Sequence, residues 1–294
     1  MRDDPAVMPL RDRRVPVGGV ELQVVEEGPA DGPPVILLHG FPESRLAWRR
    51  QTGPLAAAGL RVVVPDQRGY GRSGKPGRIG DYTLDILAGD VVGLADALGI
   101  GRFAVVGHDW GAILAWHLAE RFPDRIERAA VLNGPHLATV RRHMLGHPSQ
   151  GLKSWYVGFF QLPWLPEKLL RARGFAGMRR LMEKTARPGT FTAEDWALYR
   201  DAWEQPGAAT AMLNWYRALR RRSPSPAPEP IGVPMRVIWG DRDAALDPGL
   251  AEAGASLCGR CEVFHIPEAT HWVQHEEPER VNRLLIDFLT RPPA

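Results

Sequence analysis

Short runs of Val, Ile and Leu punctuate the chain and alternate with stretches of helical periodicity. VELQVVEEG at 20–28, PVILLHG at 34–40, LRVVVPD at 60–66, FAVVGHD at 103–109, RIERAAVLNG at 125–134, MRVIWGD at 235–241 and EVFHIP at 262–267 each read as a strand. Most are apolar at consecutive rather than alternate positions, so both faces of their sheet must be covered, as in parallel sheets. Helical spacing fills the intervals. Residues 83–98 set apolar positions against Asp positions, with Thr83 a candidate N-cap. Residues 111–121 follow a strand directly, and 278–290 put Val281, Leu284, Leu285 and Phe288 on one face. Strand–helix alternation predicts an α/β fold with a mostly parallel central sheet and helices on both faces.

The rhythm breaks from about Pro135 to about Arg222. No strand pattern occurs there, but aromatics crowd in: Trp155, Tyr156, Phe159, Phe160, Trp164, Trp196, Trp203, Trp215 and Tyr216. The segment reads as a helical insert, and it ends in the proline-rich SPSPAPEPIGVP, which no regular helix tolerates. The expected organisation is a core domain of 1–134 and 229–294, with a helical cap (lid) of 135–228 inserted into it. A cap over the carboxyl ends of the strands would roof the place where open α/β sheets bind ligands.

Composition narrows the class without changing this picture. At 294 residues, 44% hydrophobic and 24% charged, the chain has room for one large globular domain with an insert. Net charge is only +3, and the run Arg220–Arg221–Arg222 reads as a solvated helix end. No interleaving of basic and aromatic residues suggests a nucleic-acid surface, and no apolar run reaches the ~18 residues of a membrane span. The charged start, MRDDPAVMPLRDRR, lacks the apolar middle of a secretory signal, so a cytoplasmic protein is expected. Cys258 and Cys261 form CGRC ahead of a strand rather than at the opening of a helix, and read as two reduced structural thiols. No metal and no other cofactor is expected. The pattern is compatible with a homodimer.

The informative chemistry lies at a turn. Gly107-His108-Asp109-Trp110-Gly111 fits G-x-nucleophile-x-G, with Asp where Ser commonly sits. A sharp strand-to-helix turn would strain the central residue and push its side chain into a pocket. Bulk two positions to either side would collide, hence the glycines. The helix beginning there aims free N–H groups at the site. His39-Gly40-Phe41-Pro42 follows the first buried strand, and the N–H groups of Phe41 and Trp110 are candidates for an oxyanion hole. Downstream, Asp241, Asp243 and Asp247 are candidates for an orienting acid, and His265, His271 and His275 for a base. The chain order nucleophile, acid, histidine suits the fold.

These motifs resemble those of the α/β-hydrolase superfamily over nearly the whole chain, and within it the epoxide hydrolase family. The carriers are HGFPES at 39–44, DQRGYGRSGKP at 66–76, GHDWG at 107–111 and HWVQHEEP at 271–278, with SWYVGFFQLPWLPE at 154–167 and NWYRA at 214–218 in the insert. The resemblance implies the α/β-hydrolase fold and hydrolysis of a small hydrophobic epoxide to a vicinal diol. It implies Asp109 as nucleophile, His271 as the base that activates water, and Asp243 as its orienting partner. Tyr156 and Tyr216 would donate to the epoxide oxygen. Trp155, Phe159, Phe160, Trp164 and Trp215 would line a hydrophobic substrate pocket. A carboxylate suits attack on saturated carbon, because attack on an ester would give an anhydride. Haloalkane dehalogenases share the core motifs, but Phe41 stands where many of them carry Asn for the halide. A non-catalytic ligand-binding protein of this fold is the remaining alternative.

Overall fold

The computed structural model describes residues 11–221 and 230–292. Eight strands form one sheet: β1 (Arg11–Val17), β2 (Val20–Glu27), β3 (Pro34–Leu38), β4 (Arg61–Pro65), β5 (Phe103–His108), β6 (Ile126–Leu132), β7 (Met235–Gly240) and β8 (Cys261–Ile266). Their order is β1-β2-β4-β3-β5-β6-β7-β8. The pairs from β4 through β8 are parallel, whereas β1 with β2 and β2 with β4 are antiparallel. The chain thus reverses its direction of travel across the sheet between β3 and β5. That topological switch opens a crevice at the carboxyl ends of these two strands.

The continuous apolar runs have the expected cause. Val35, Leu37, Val62, Val64 and Val106 point to one face, where α1 (Thr52–Ala57) and Val281, Leu285 and Phe288 of a C-terminal helix cover them. Ile36, Leu38, Val63 and Val105 point to the other, against α2 (Leu84–Ala97) and α3 (Trp110–Arg121). Alternate residues of one strand therefore enter separate cores, each buried Val, Ile or Leu contributing roughly 1.5–3 kcal/mol.

Between β6 and β7 the described residues form only helices: α4 (Leu137–Gly146), α5 (Pro148–Lys153), α6 (Trp155–Phe159), α7 (Leu165–Thr185), α8 (Ala193–Glu204) and α9 (Ala208–Ala218). The backbone of α7 leaves helical geometry at Ala172–Phe175. A reciprocal capping box of Thr192 and Asp195 starts α8. Several aromatics of this region fasten it to the core. Trp203 Nε1 donates to the Pro42 carbonyl at 2.5 Å, Trp215 Nε1 to the Arg68 carbonyl at 3.0 Å, and the Tyr199 hydroxyl to Glu43 at 2.6 Å. The remaining helices are α10 (Gly249–Ala255), α11 (Val273–Glu276) and α12 (Pro278–Leu289).

Thr83 stands at the N-cap of α2, where the sequence put it, although its side chain makes no capping hydrogen bond. The edge strand β1, RDRRVPV, has no apolar run to reveal it, because four of its residues are charged and only Val15 and Val17 are buried. Its Pro16 is tolerated because an edge strand needs only one side of its ladder. Most of the proline-rich connector, and Arg222 with it, lies outside the described residues. Cys258 and Cys261 are free thiols, both half-buried. Among the described residues no helix is long and apolar enough to cross a membrane.

Candidate active site

Asp109 sits between β5 and α3 with φ of 52° and ψ of −115°. A non-glycine residue there carries strain on the order of 1–3 kcal/mol, which surrounding packing must hold. The glycines explain how the turn fits. A Cβ on Gly107 would run into the Gly111 carbonyl, and a Cβ on Gly111 into the Leu38 carbonyl at the end of β3. The elbow therefore closes only where two glycines let β5, α3 and β3 approach.

Because β3 and β5 are neighbours, the turn after β3 meets the elbow. The Phe41 N–H donates to Asp109 Oδ1 at 2.8 Å, and the Trp110 N–H also bonds this carboxylate. Burial raises the Asp109 carboxyl above its ordinary value, against the pull of His271, His108 and these two N–H groups. Oδ1 occupies the Phe41 N–H, while Oδ2 faces His271.

His271 follows β8. Its Nε2 stands 3.8 Å from Asp109 Oδ2, and its Nδ1 hydrogen-bonds Asp243 Oδ2 at 2.7 Å. The Asp243 carboxylate also accepts from Asn133 Nδ2 at 2.9 Å and from the N–H groups of Ala245 at 2.7 Å and Leu246 at 3.0 Å. Burial would raise the Asp243 carboxyl, but His271 and these donors hold it below its ordinary value. Burial would likewise lower His271, but the charges of Asp243 and Asp109 raise it to about 9. The other candidate acids and bases are engaged elsewhere. Asp241 meets His265 at 2.5 Å, Asp247 accepts from the Gly249 N–H at 3.0 Å, and His275 meets Glu43 at 2.6 Å.

Tyr156 from α6 and Tyr216 from α9 lie edge to face, ring centres 6.0 Å apart. Tyr216 also packs on Trp110 at 5.0 Å and on Phe41 at 5.3 Å. Burial raises both phenols above their ordinary value, and the Asp109 charge raises both further, so both stay protonated at neutral pH.

The aromatic pocket expected from sequence is only partly built. Phe160 is buried against Phe41, Tyr156 and Tyr216, and Phe159 is half-buried beside it. Trp155 and Trp164 are 68% and 69% exposed, so neither lines an enclosed pocket. Trp215 turns into the core between Tyr70 and Trp110. The apolar space lies elsewhere. A groove of about 630 Å³ runs along α3, lined by Ile113, Trp116, Leu137, Val140, Met144 and Leu219 among others. Ile113 lies one helical turn from Asp109, its N–H donating to the Asp109 carbonyl at 3.0 Å, but none of Asp109, Tyr156, Tyr216 and His271 lines this groove.

Sequence reasoning missed the support behind the triad. Glu43 is fully buried and accepts from Tyr199, His275 and Gln274, with His108 Nδ1 at 3.2 Å. Burial would raise its carboxyl, but His275 and His108 hold it well below the usual range. His108 Nε2 in turn donates to the His271 carbonyl at 2.8 Å. Arg49 donates to His275 Nδ1 at 2.8 Å, so the proton of that ring lies on the nitrogen facing Glu43. One carboxylate thereby ties the turn after β3, the elbow, the histidine loop and α8. A Glu inside an otherwise apolar turn, with His residues in both later motifs, was the available signal.

Among the described residues no group of three or more His, Cys, Asp or Glu is arranged to hold a metal ion.

Known proteins resemble this chain in sequence and in fold. The α/β-hydrolase fold family profile matches residues 33–278. The AB hydrolase superfamily protein YfhM of Bacillus subtilis is 42% identical over 94% of this chain and 96% of its own. Epoxide hydrolase 3 of Mus musculus is 34% identical over 92% of this chain and 74% of its own. The crystal structure of the Bacillus megaterium epoxide hydrolase in complex with an inhibitor superposes with a TM-score of 0.86 at 30% identity, covering 95% of this chain and all of that one. By these matches the chain belongs to the α/β-hydrolase fold family and, within it, to the epoxide hydrolases.

Proposed function

We propose that the chain hydrolyses epoxides to vicinal diols through a covalent ester on Asp109. Asp109 Oδ2 attacks a ring carbon as Tyr156 and Tyr216 donate to the departing oxygen, and the C–O bond breaks to give a hydroxyalkyl ester. A water between His271 and the ester carbon, deprotonated by His271, then attacks that carbon. Oδ1 takes the negative charge against the N–H groups of Phe41 and Trp110, and the diol leaves with the ester oxygen. Asp243 stabilises the imidazolium formed on the way.

The observation that carries this reading is geometric: Tyr156 and Tyr216 lie edge to face at 6.0 Å, and Tyr216 packs on Trp110 at 5.0 Å and Phe41 at 5.3 Å, the two residues whose N–H groups bond Asp109. A halide would need no such pair of proton donors. The test is incubation of His271→Gln with styrene oxide, followed by intact mass. The reading expects a stable adduct of one epoxide mass on the peptide holding Asp109, and diol from the unaltered protein. Halide release from haloalkanes without diol formation from epoxides would overturn it.

A further inference from the structure

The cap surface from Leu137 to Arg173 combines two features that rarely coexist on a face left to water. Leu145 and Leu152 are 81% and 78% exposed, and Trp155, Leu162, Trp164 and Leu169 are exposed with them. The same stretch carries six cationic side chains, Arg141, Arg142, Lys153, Lys168, Arg171 and Arg173, against the single acid Glu167. That acid is already consumed by Arg217, through bonds of 2.6 Å and 3.0 Å.

The two ends of this stretch meet around the end of α9. Leu219 lines the 630 Å³ groove together with Arg141 and Leu145. The next two residues, Arg220 and Arg221, line a shallow groove with Trp164. Exposed leucine and tryptophan thus flank a cationic centre on both sides.

We propose that this face docks on the surface of an anionic lipid bilayer. Tryptophan prefers the headgroup level, where its ring is half-solvated and its N–H finds an acceptor. Leucine side chains gain by entering the acyl boundary, and the cations gain from the negative surface potential. A second copy of the chain fits less well. A twofold interface would set this face against itself and oppose like charges with no free acid between them. Nucleic acid would satisfy the cations but offer the exposed leucines no apolar partner.

The test is co-sedimentation of the full chain with vesicles of phosphatidylcholine alone and of phosphatidylcholine mixed with phosphatidylglycerol. Binding is expected to the anionic vesicles only, with release at high salt and a blue shift of tryptophan emission. Arg142→Glu with Lys153→Glu, and separately Leu152→Ser with Trp155→Ser, are expected to weaken binding more than about tenfold. Their turnover of a water-soluble epoxide in vesicle-free buffer stays unchanged, which separates lost docking from lost folding or lost catalysis. Three results would overturn the proposal: no pelleting with anionic vesicles, a stable dimer that Trp155→Ser splits, or binding to a DNA oligonucleotide in preference to vesicles.

Discussion

His271 Nε2 stands 3.8 Å from Asp109 Oδ2, while its other ring nitrogen bonds Asp243 at 2.7 Å. The shorter contact fixes the ring. The longer one is beyond direct hydrogen bonding and leaves Asp109 Oδ2 unbonded to the ring. Both carboxylates favour the protonated ring, which stays charged up to a pH of about 9. Ester formation would remove the Asp109 charge, so the ring becomes easier to deprotonate at the step that needs a base.

This coupling predicts how stability depends on pH. The folded-state value of about 9 exceeds the ordinary 6.5 of histidine. The contribution is therefore fully present below about 6.5 and is lost as pH rises through about 9. It is on the order of 3 kcal/mol. The gap in melting temperature between the unaltered protein and His271→Gln should narrow across that window. A gap that is constant or widens with pH would contradict the assignment.

The cap tyrosines should act on ester formation and not on its hydrolysis. Tyr156→Phe or Tyr216→Phe is expected to slow alkylation by styrene oxide, and the double variant to lose roughly 10²–10⁴ in rate. Melting temperatures should change little, because each substitution keeps the ring. Since both phenols titrate above their ordinary value of 10, no activity should be lost to their ionisation at neutral pH. Stopped-flow tryptophan fluorescence separates the two steps, and an unchanged alkylation rate in the double variant would remove the phenols from the mechanism.

Glu43→Ala should be costly although Glu43 touches no reacting atom. It leaves His275, Gln274 and the Tyr199 hydroxyl without their acceptor and frees the His108 ring that holds the His271 carbonyl. A loss of about 3–5 kcal/mol is expected in urea unfolding. Ester hydrolysis should slow more than ester formation, since the histidine loop loses its anchor. Equal slowing of both steps would mean that the network supports only the fold.

Asn133 holds the other side of the triad. Its Nδ2 donates to Asp243, its Oδ1 accepts from the Gly240 N–H at 2.8 Å, and its φ is 37°. Asn133→Ala should destabilise the protein by about 1–3 kcal/mol. With one donor gone the Asp243 carboxyl rises, so the acid limb of the pH–rate profile should move to higher pH. An unmoved acid limb would show that Asn133 shapes only the backbone.

The parts of the fold that sequence revealed are those where a local rule and the tertiary structure agree. β3, β4, β5 and β7 are buried on both faces and carry the apolar runs this requires, and the GHDWG turn announces itself because only glycine fits at 107 and 111. β1 was hidden because an exposed edge needs no such run. The sequence offered Asp109, and, through the family resemblance, Asp243 and His271 over rival acids and histidines; the fold brings these three side by side, but the support behind them was not legible. Glu43, His108 and Gln274 come from the turn after β3, the elbow and the histidine loop, and only the folded sheet makes them neighbours. The cap was hardest to read, because an aromatic side chain serves equally as a fastener, like Trp203, a site wall, like Phe160, or a surface group, like Trp155.

If Asp109 supplies the oxygen that first enters the product, a single turnover of styrene oxide in heavy-oxygen water, with enzyme in excess, yields unlabelled diol and leaves heavy oxygen in the Asp109 carboxylate. Heavy oxygen in the first diol, with the Asp109 peptide unlabelled, would contradict it.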